Sequence, residues 1–138
     1  TYSFPLSVLL PKTCPTLHNT LYSQEGEVNN FEWRLIGKIA DMDNILFWHR
    51  NQEGKGFCIN GFINHYPDFI VMTRSGRIVM IETKGEHLKN PDSGRKIKLG
   101  RYWANSAGSD YRYFMVFEKE PLEGAYTLNN FIEIMKQL

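Results

Sequence analysis

Tyr66-Pro67-Asp68-Phe69-Ile70-Val71-Met72-Thr73, then Arg74-Ser75-Gly76, then Arg77-Ile78-Val79-Met80-Ile81-Glu82-Thr83-Lys84-Gly85 is the stretch that decides the fold. Two runs rich in Ile, Val, Phe and Met flank a polar segment ending in glycine, the pattern of a β-hairpin. A three-residue loop, a type I turn closed by Gly76 in the left-handed conformation, sets Thr73 opposite Arg77. Counting outward from that pair, Asp68 faces Glu82, with thirteen residues between them. A two-residue loop would shift the count by one and put the two carboxylates on opposite faces, because strand register has period two.

Side chains alternate along a strand, so Glu82 and Lys84 share a face, and cross-strand neighbours on that face have Cβ atoms about 5 Å apart. Two carboxylates and an ammonium therefore converge. Charge at a lone Glu-x-Lys triplet is ordinarily solvated surface. Here Ile78 and Met80 lie on the Glu82 face and Val79 and Ile81 on the other, as expected of a strand covered on both sides. Charges at the end of such a strand require a partner. Two close carboxylates repel and gain proton affinity unless a cation lies between them. Hard oxygen ligands of this kind suit Mg²⁺, usually held by one or two carboxylates plus waters and substrate phosphate oxygens.

A third carboxylate comes from Asn29-Asn30-Phe31-Glu32-Trp33-Arg34-Leu35-Ile36-Gly37-Lys38-Ile39-Ala40, where N-capping Asn residues precede helical periodicity. At about 100° per residue, Phe31, Trp33, Leu35, Ile36, Ile39 and Ala40 span one apolar arc, with Arg34, Gly37 and Lys38 opposite. Glu32 falls inside the apolar arc. The helix dipole favours an acid there by about 0.3 to 1 kcal/mol, so one reading is an N-terminal charge that reaches out to water. A buried unpaired charge costs several times that, which favours a role in a site.

Pro67-Asp68, the thirteen-residue gap, Glu82-Thr83-Lys84 and the helical Glu32 resemble the PD-(D/E)xK nuclease signature. More narrowly, Phe31-Glu32, Trp48-His49-Arg50-Asn51, Tyr66-Pro67-Asp68-Phe69-Ile70-Val71 and Glu82-Thr83-Lys84-Gly85 resemble the C-terminal endonuclease domain of the type III restriction enzyme restriction subunit. The resemblance spans residues 28 to 117. It implies an α/β fold, a restriction-endonuclease-like αβββαβ core with a mixed central sheet flanked by helices. It also implies that Asp68 and Glu82 bind a divalent metal, Mg²⁺ with Mn²⁺ as a substitute, that Glu32 completes or orients the shell, and that the Thr83 carbonyl faces the ion. Lys84 would position the attacking water or help deprotonate it. Neighbouring carboxylates oppose the lowered pKa a lysine base needs, which favours positioning and charge stabilisation. The implied partners are double-stranded DNA, a methyltransferase subunit and an ATP-driven helicase domain. The Gly54-Lys55-Gly56 segment lacks the spacing of a phosphate-binding loop, so ATP use would belong to the helicase domain, outside this chain.

Around this centre the pattern predicts strands over 45–49, 57–62 and 111–117, and helices over 93–106 and 128–138. Residues 1–27, with Pro5, Pro11 and Pro15, read as an extension or linker before a domain over 28–138. Basic Arg95, Lys96, Lys98 and Arg101 alternate with Leu99, Tyr102 and Trp103 in the second helix, and six Lys/Arg against two acids from Lys84 to Arg101 suit phosphate contact. The alternative is a helix whose basic side is merely solvated. The resemblance implies that a residue of this downstream helix reaches the site, and Lys98 is the one expected to do so. Arg50 is expected to touch DNA or the rim of the site, and Trp48 to be core.

The four His and two Cys form no zinc motif, and Cys14 and Cys58 do not make a disulfide scaffold. With no apolar run of membrane-spanning length and no signal peptide, a cytoplasmic location is expected. A net charge of +1 is low for an independent non-specific DNA binder, so DNA affinity is expected to come partly from elsewhere. The expected function is a metal-dependent DNA endonuclease. A self-sufficient PD-(D/E)xK repair or recombination nuclease and a non-cutting nuclease-like DNA-binding module are the alternatives.

Overall fold

The computed structural model describes residues 29–51, 56–59, 65–85 and 91–138, together with two short paired strands, β1 (Thr13–Cys14) and β2 (Glu25–Gly26). The expected extension over 1–27 otherwise lies outside the described residues, as does the polar segment 86–90. Helix α1 (Asn30–Ala40) leads into β3 (Ile45–Arg50), β4 (Phe69–Thr73) and β5 (Ile78–Lys84). Then follow α2 (Pro91–Ala107), β6 (Tyr111–Phe117), β7 (Tyr126–Thr127) and α3 (Leu128–Met135). The result is an α/β fold whose mixed sheet runs β3-β4-β5-β6-β7, with β3/β4 and β4/β5 antiparallel and β5/β6 and β6/β7 parallel. No helix among the described residues is long and apolar enough to cross a membrane.

The central hairpin has the register its loop demands. Phe69 pairs with Ile81 and Met72 with Ile78, the Thr73 N–H donates to the Arg77 carbonyl at 2.9 Å, and Gly76 has φ +92°. A side chain at that φ is strained, so glycine closes the loop and fixes the parity of every residue outward from it.

Parity then assigns the two faces. Phe69, Val71, Val79, Ile81, Phe114 and Val116 are buried against α1 and α3, with Leu35, Ile36, Ile39 and Phe131. Ile70, Met80, Tyr113, Met115 and Phe117 are buried with Ile97 and Leu99 of α2. Strands β4 and β5 are thus covered on both sides, which explains their continuous apolar composition. Trp48 is fully buried in the α1 face, as expected.

Two features depart from the sequence reading. The expected strand over 57–62 is not formed in its described part, where Ile59 makes only an isolated bridge to His65; the remainder lies outside the described residues. In β3 the pairing skips between Ile45 and Phe47, a bulge that leaves Leu46 about half exposed. That extra residue keeps Ile45 and Trp48 inside and puts Arg50 opposite Phe69, on the α1 face.

Candidate active site

The C-terminal end of β5, the bend before β4 and the N-terminus of α1 enclose an open cavity of about 560 Å³, lined by Glu32, Arg50, Asp68, Glu82, Thr83, Lys84 and Glu118 among others. All four residues expected to carry the chemistry are there.

Glu32 occupies the third position of α1 and completes a capping box. Asn29 Oδ1 accepts the Glu32 N–H at 2.8 Å, and Glu32 Oε1 accepts the Asn29 N–H at 3.0 Å. This supplies orphan donors of the helix start and aims the other oxygen, Oε2, inward. That oxygen lies 3.3 Å from the Thr83 hydroxyl and 3.6 Å from an Arg50 nitrogen. Glu32 is buried, 4% exposed, so the acid does not reach out to water. Burial first, and the Asp68 charge second, raise its proton affinity; Arg50 and the cap pull it back.

Asp68 lies one step beyond the last hairpin pair, in a bend. Its Oδ2 accepts both the backbone N–H and the hydroxyl of Thr83, at 2.7 and 2.8 Å, and its Oδ1 accepts from Arg50 Nη1 at 3.2 Å. Thr83, expected to offer its carbonyl, thus also acts as a double donor that fixes the acid. Asn51 holds the bend in turn: its N–H donates to the Asp68 carbonyl, and its side-chain amide donates to the carbonyls of Phe57 and Pro67 and accepts the Phe57 N–H.

Glu82 is 4% exposed. Its Oε2 meets Lys84 at 3.5 Å and Lys96 at 3.4 Å, whereas no hydrogen-bond donor among the described residues reaches its buried Oε1. Burial, then the Asp68 charge, push its carboxyl well above the ordinary carboxylate range, against the pull of the two lysines. The mutual repulsion foreseen for this pair of acids is therefore present. A cation, or a proton held between them, would relieve it.

The helix lysine at the site is Lys96, not Lys98. Position 98 lies about 200° further round the helix, and Lys98 is exposed, as are Arg95 and Arg101. Arg50 also lines the cavity. It takes the second of its two expected places, the rim of the site, held over the Phe69 ring at 5.5 Å, between Glu32 and Asp68. The three acids are thus matched by three cations, Arg50, Lys84 and Lys96.

Sequence reasoning missed the wall behind the acids. His65 is fully buried, and its Nε2 shares a 2.5 Å hydrogen bond with the Tyr113 hydroxyl. Burial holds His65 down at about 3, with Lys96 adding to the effect, and burial holds His49 down at about 4. Burial, then Glu82 and Asp68, raise the Tyr113 phenol. Both histidines are buried and hydrogen-bonded. Glu118 was missed too: its N–H donates to the Lys84 carbonyl and its carboxylate pairs with Arg34 at 2.7 Å. Only the parallel β5/β6 pairing brings it there, and no local motif announces it.

The donor set facing the cavity is all oxygen, which fits a hard divalent cation, and the buried Glu82 Oε1 is an acceptor lacking a donor. Among the described residues, no three His, Cys, Asp or Glu side chains converge closely enough to hold an ion. Arg50 and Thr83 stand between Glu32 and Asp68. Asp68 and Glu82 are the pair that fits such an ion, since one or two carboxylates suffice for Mg²⁺.

Compared with protein-family models, with curated proteins and with solved structures, the chain finds no match in any of the three.

Proposed function

We propose that this chain is a metal-dependent DNA endonuclease domain of the PD-(D/E)xK type, working as part of a type III restriction enzyme. The observation that carries the proposal is the meeting of Asp68, Glu82 and Lys84 at one end of a mixed sheet, with the helical Glu32 beside them. Support for the narrower resemblance comes from Trp48-His49-Arg50-Asn51, in which Arg50 grips the acids and Asn51 holds the Asp68 bend, while Trp48 and His49 are buried. The order αβββαβ over α1 to β6 agrees with the core that the resemblance implies.

In this reading Asp68 and Glu82 hold the ion and Glu32 orients its surroundings. When bound, Mg²⁺ supplies Lewis-acid stabilisation of charge on the phosphate and acidifies an attacking water. Lys84 and Lys96, at 3.5 and 3.4 Å from Glu82, are placed to stabilise charge that develops on the scissile phosphate. Exposed Arg95, Lys98 and Arg101 on α2 contact the DNA backbone, with Tyr102, 72% exposed, among them. A helicase domain and a methyltransferase subunit supply translocation and recognition.

A second reading, a non-cutting DNA-binding module, is favoured by one observation: the acids are neutralised by the chain's own cations and do not form a ready triad. Supercoiled-plasmid cleavage separates the two. With Mg²⁺ or Mn²⁺ at high protein concentration, wild type is expected to nick, and EDTA, Asp68→Ala and Lys84→Ala each to abolish nicking. Wild type that stays inactive even with its helicase and methyltransferase partners, while binding metal, would establish the non-cutting module. Strong cleavage by the isolated domain would point instead to a self-sufficient nuclease.

A further inference from the structure

Arg50 is anchored where a metal's charge would be felt. Its Nη1 donates to the Asp68 carbonyl at 2.8 Å and the Asn51 carbonyl at 3.2 Å, as well as to Asp68 Oδ1 at 3.2 Å. Its Nη2 stands 3.6 Å from Glu32 Oε2, and its guanidinium lies over the Phe69 ring. The shortest of these contacts is to a backbone carbonyl, which would hold the guanidinium in place when the carboxylates change partners. A guanidinium stays charged at every accessible pH. Arg50 therefore pairs permanently with two of the three acids and offsets half of their charge, while the Oε1 oxygen of the third, buried in the same cavity, has no donor among the described residues.

We infer that Arg50 is a built-in counter-cation that competes with the divalent ion for Asp68, and so makes metal binding depend on the phosphodiester. This rests on the reading of the site given above. Without DNA, an incoming dication meets carboxylates whose charge is already partly compensated and a fixed positive charge beside them, so its affinity is lowered. A phosphodiester brings a negative charge and an oxygen ligand for the ion, and guanidinium is well matched to phosphate. Arg50 then shares its charge with the phosphate, and the carboxylates become available to the metal. Arg50 is thus a positioning residue that sets the order of assembly.

A merely structural arginine and a counter-cation predict opposite changes in metal affinity. Mn²⁺ binding to the whole chain, read from the electron paramagnetic resonance signal of the free ion without DNA, should tighten on the order of tenfold in Arg50→Gln, because one repelling charge is gone. Arg50→Lys retains the charge but cannot span both acids, so it should tighten less, in the same direction. It carries the test alone if thermal melting shows that the glutamine variant does not fold. A phosphorothioate duplex that resists cleavage should tighten Mn²⁺ binding to wild type about tenfold and to Arg50→Gln by much less. Unchanged or weaker Mn²⁺ binding in folded Arg50 variants overturns the inference. Asp68→Asn separates the two levels: if it leaves Mn²⁺ binding at the wild-type value, the carboxylate site itself is overturned, whereas loss of binding upholds the site whatever Arg50 does.

Discussion

Thr83 gives Asp68 two hydrogen bonds to a single oxygen, one from the backbone at 2.7 Å and one from the hydroxyl at 2.8 Å. The backbone donor is independent of sequence, but the hydroxyl is not. Thr83→Val keeps the β-branched shape that suits the strand and removes only the second bond. Loss of about 1 kcal/mol of unfolding free energy is expected, within the usual range for one hydrogen bond. Plasmid nicking should fall less than in Asp68→Ala, because the acid retains the backbone donor. Urea denaturation and the nicking assay check the two parts.

Glu82 is a buried carboxylate whose proton affinity is raised by burial and by Asp68. For an acid, a folded-state pKa above the unfolded value means that stability declines as pH rises above the unfolded value of 4.5. At pH 7.5 the charged form is therefore a burden that the fold carries for the site. Glu82→Gln is expected to raise Tm by roughly 3 to 8 °C and to abolish cleavage. A lower Tm would mean that the contacts with Lys84 and Lys96 outweigh the burial of the charge.

His49 and His65 bind protons in the opposite sense. Both start from 6.5 and are held to about 4 and about 3 in the folded chain, by burial. Their contribution to stability is full above pH 6.5 and is lost as pH falls from there toward 4. Glu32 and Glu82 oppose this above pH 4.5, so the difference between variants is the clean readout. The unfolding free energy of wild type relative to His65→Gln should shrink steadily between pH 7 and pH 5. A difference that does not vary with pH would show that His65 is not kept neutral.

Gly100 lies in the middle of α2, where a Cβ would overlap the Tyr113 ring. That ring cannot easily withdraw, since its hydroxyl is held by buried His65. Gly100→Ala should destabilise by about 1 to 3 kcal/mol, the usual range for overpacking, despite the better helix propensity of alanine. Gly37 of α1 has open space around its Cβ position, so Gly37→Ala should stabilise by up to about 1 kcal/mol. Paired thermal melts test both.

Lys96 and Lys98 are two residues apart on one helix but differ in environment. Lys96→Met should reduce nicking by about tenfold or more through the lost charge at Glu82. Lys98→Met should leave the chemical step intact and lower the salt dependence of DNA binding by about one unit. Single-turnover cleavage and binding at several salt concentrations distinguish them. Equal effects would remove the special place of Lys96.

Much of the site was legible because it is local in sequence. Gly76 closes a three-residue loop, the loop fixes parity, and parity puts Glu82 and Lys84 together and Asp68 across from them. The apolar arc of α1 placed Glu32 inward before any contact was known. What escaped had no local signature. The resemblance points to Lys98 in the downstream helix, but it does not fix the rotation of α2 about its axis; that rotation is set by burial of Ile97 and Leu99 against β6, and it brings Lys96 to Glu82. The bulge at Leu46, which puts Arg50 on the α1 face, arises from the pairing of β3 with β4.

By itself the sequence determined the α/β character, the hairpin register, the order of the main elements and the four residues Glu32, Asp68, Glu82 and Lys84 at the cavity, because periodicity and turn chemistry act over a few residues. Tertiary structure alone decided that Arg50 would stand between Asp68 and Glu32, that Lys96 would reach Glu82, and that His65 and Tyr113 would back the site. Those pairs join residues distant in the chain, and their distances depend on how the helices pack on the sheet.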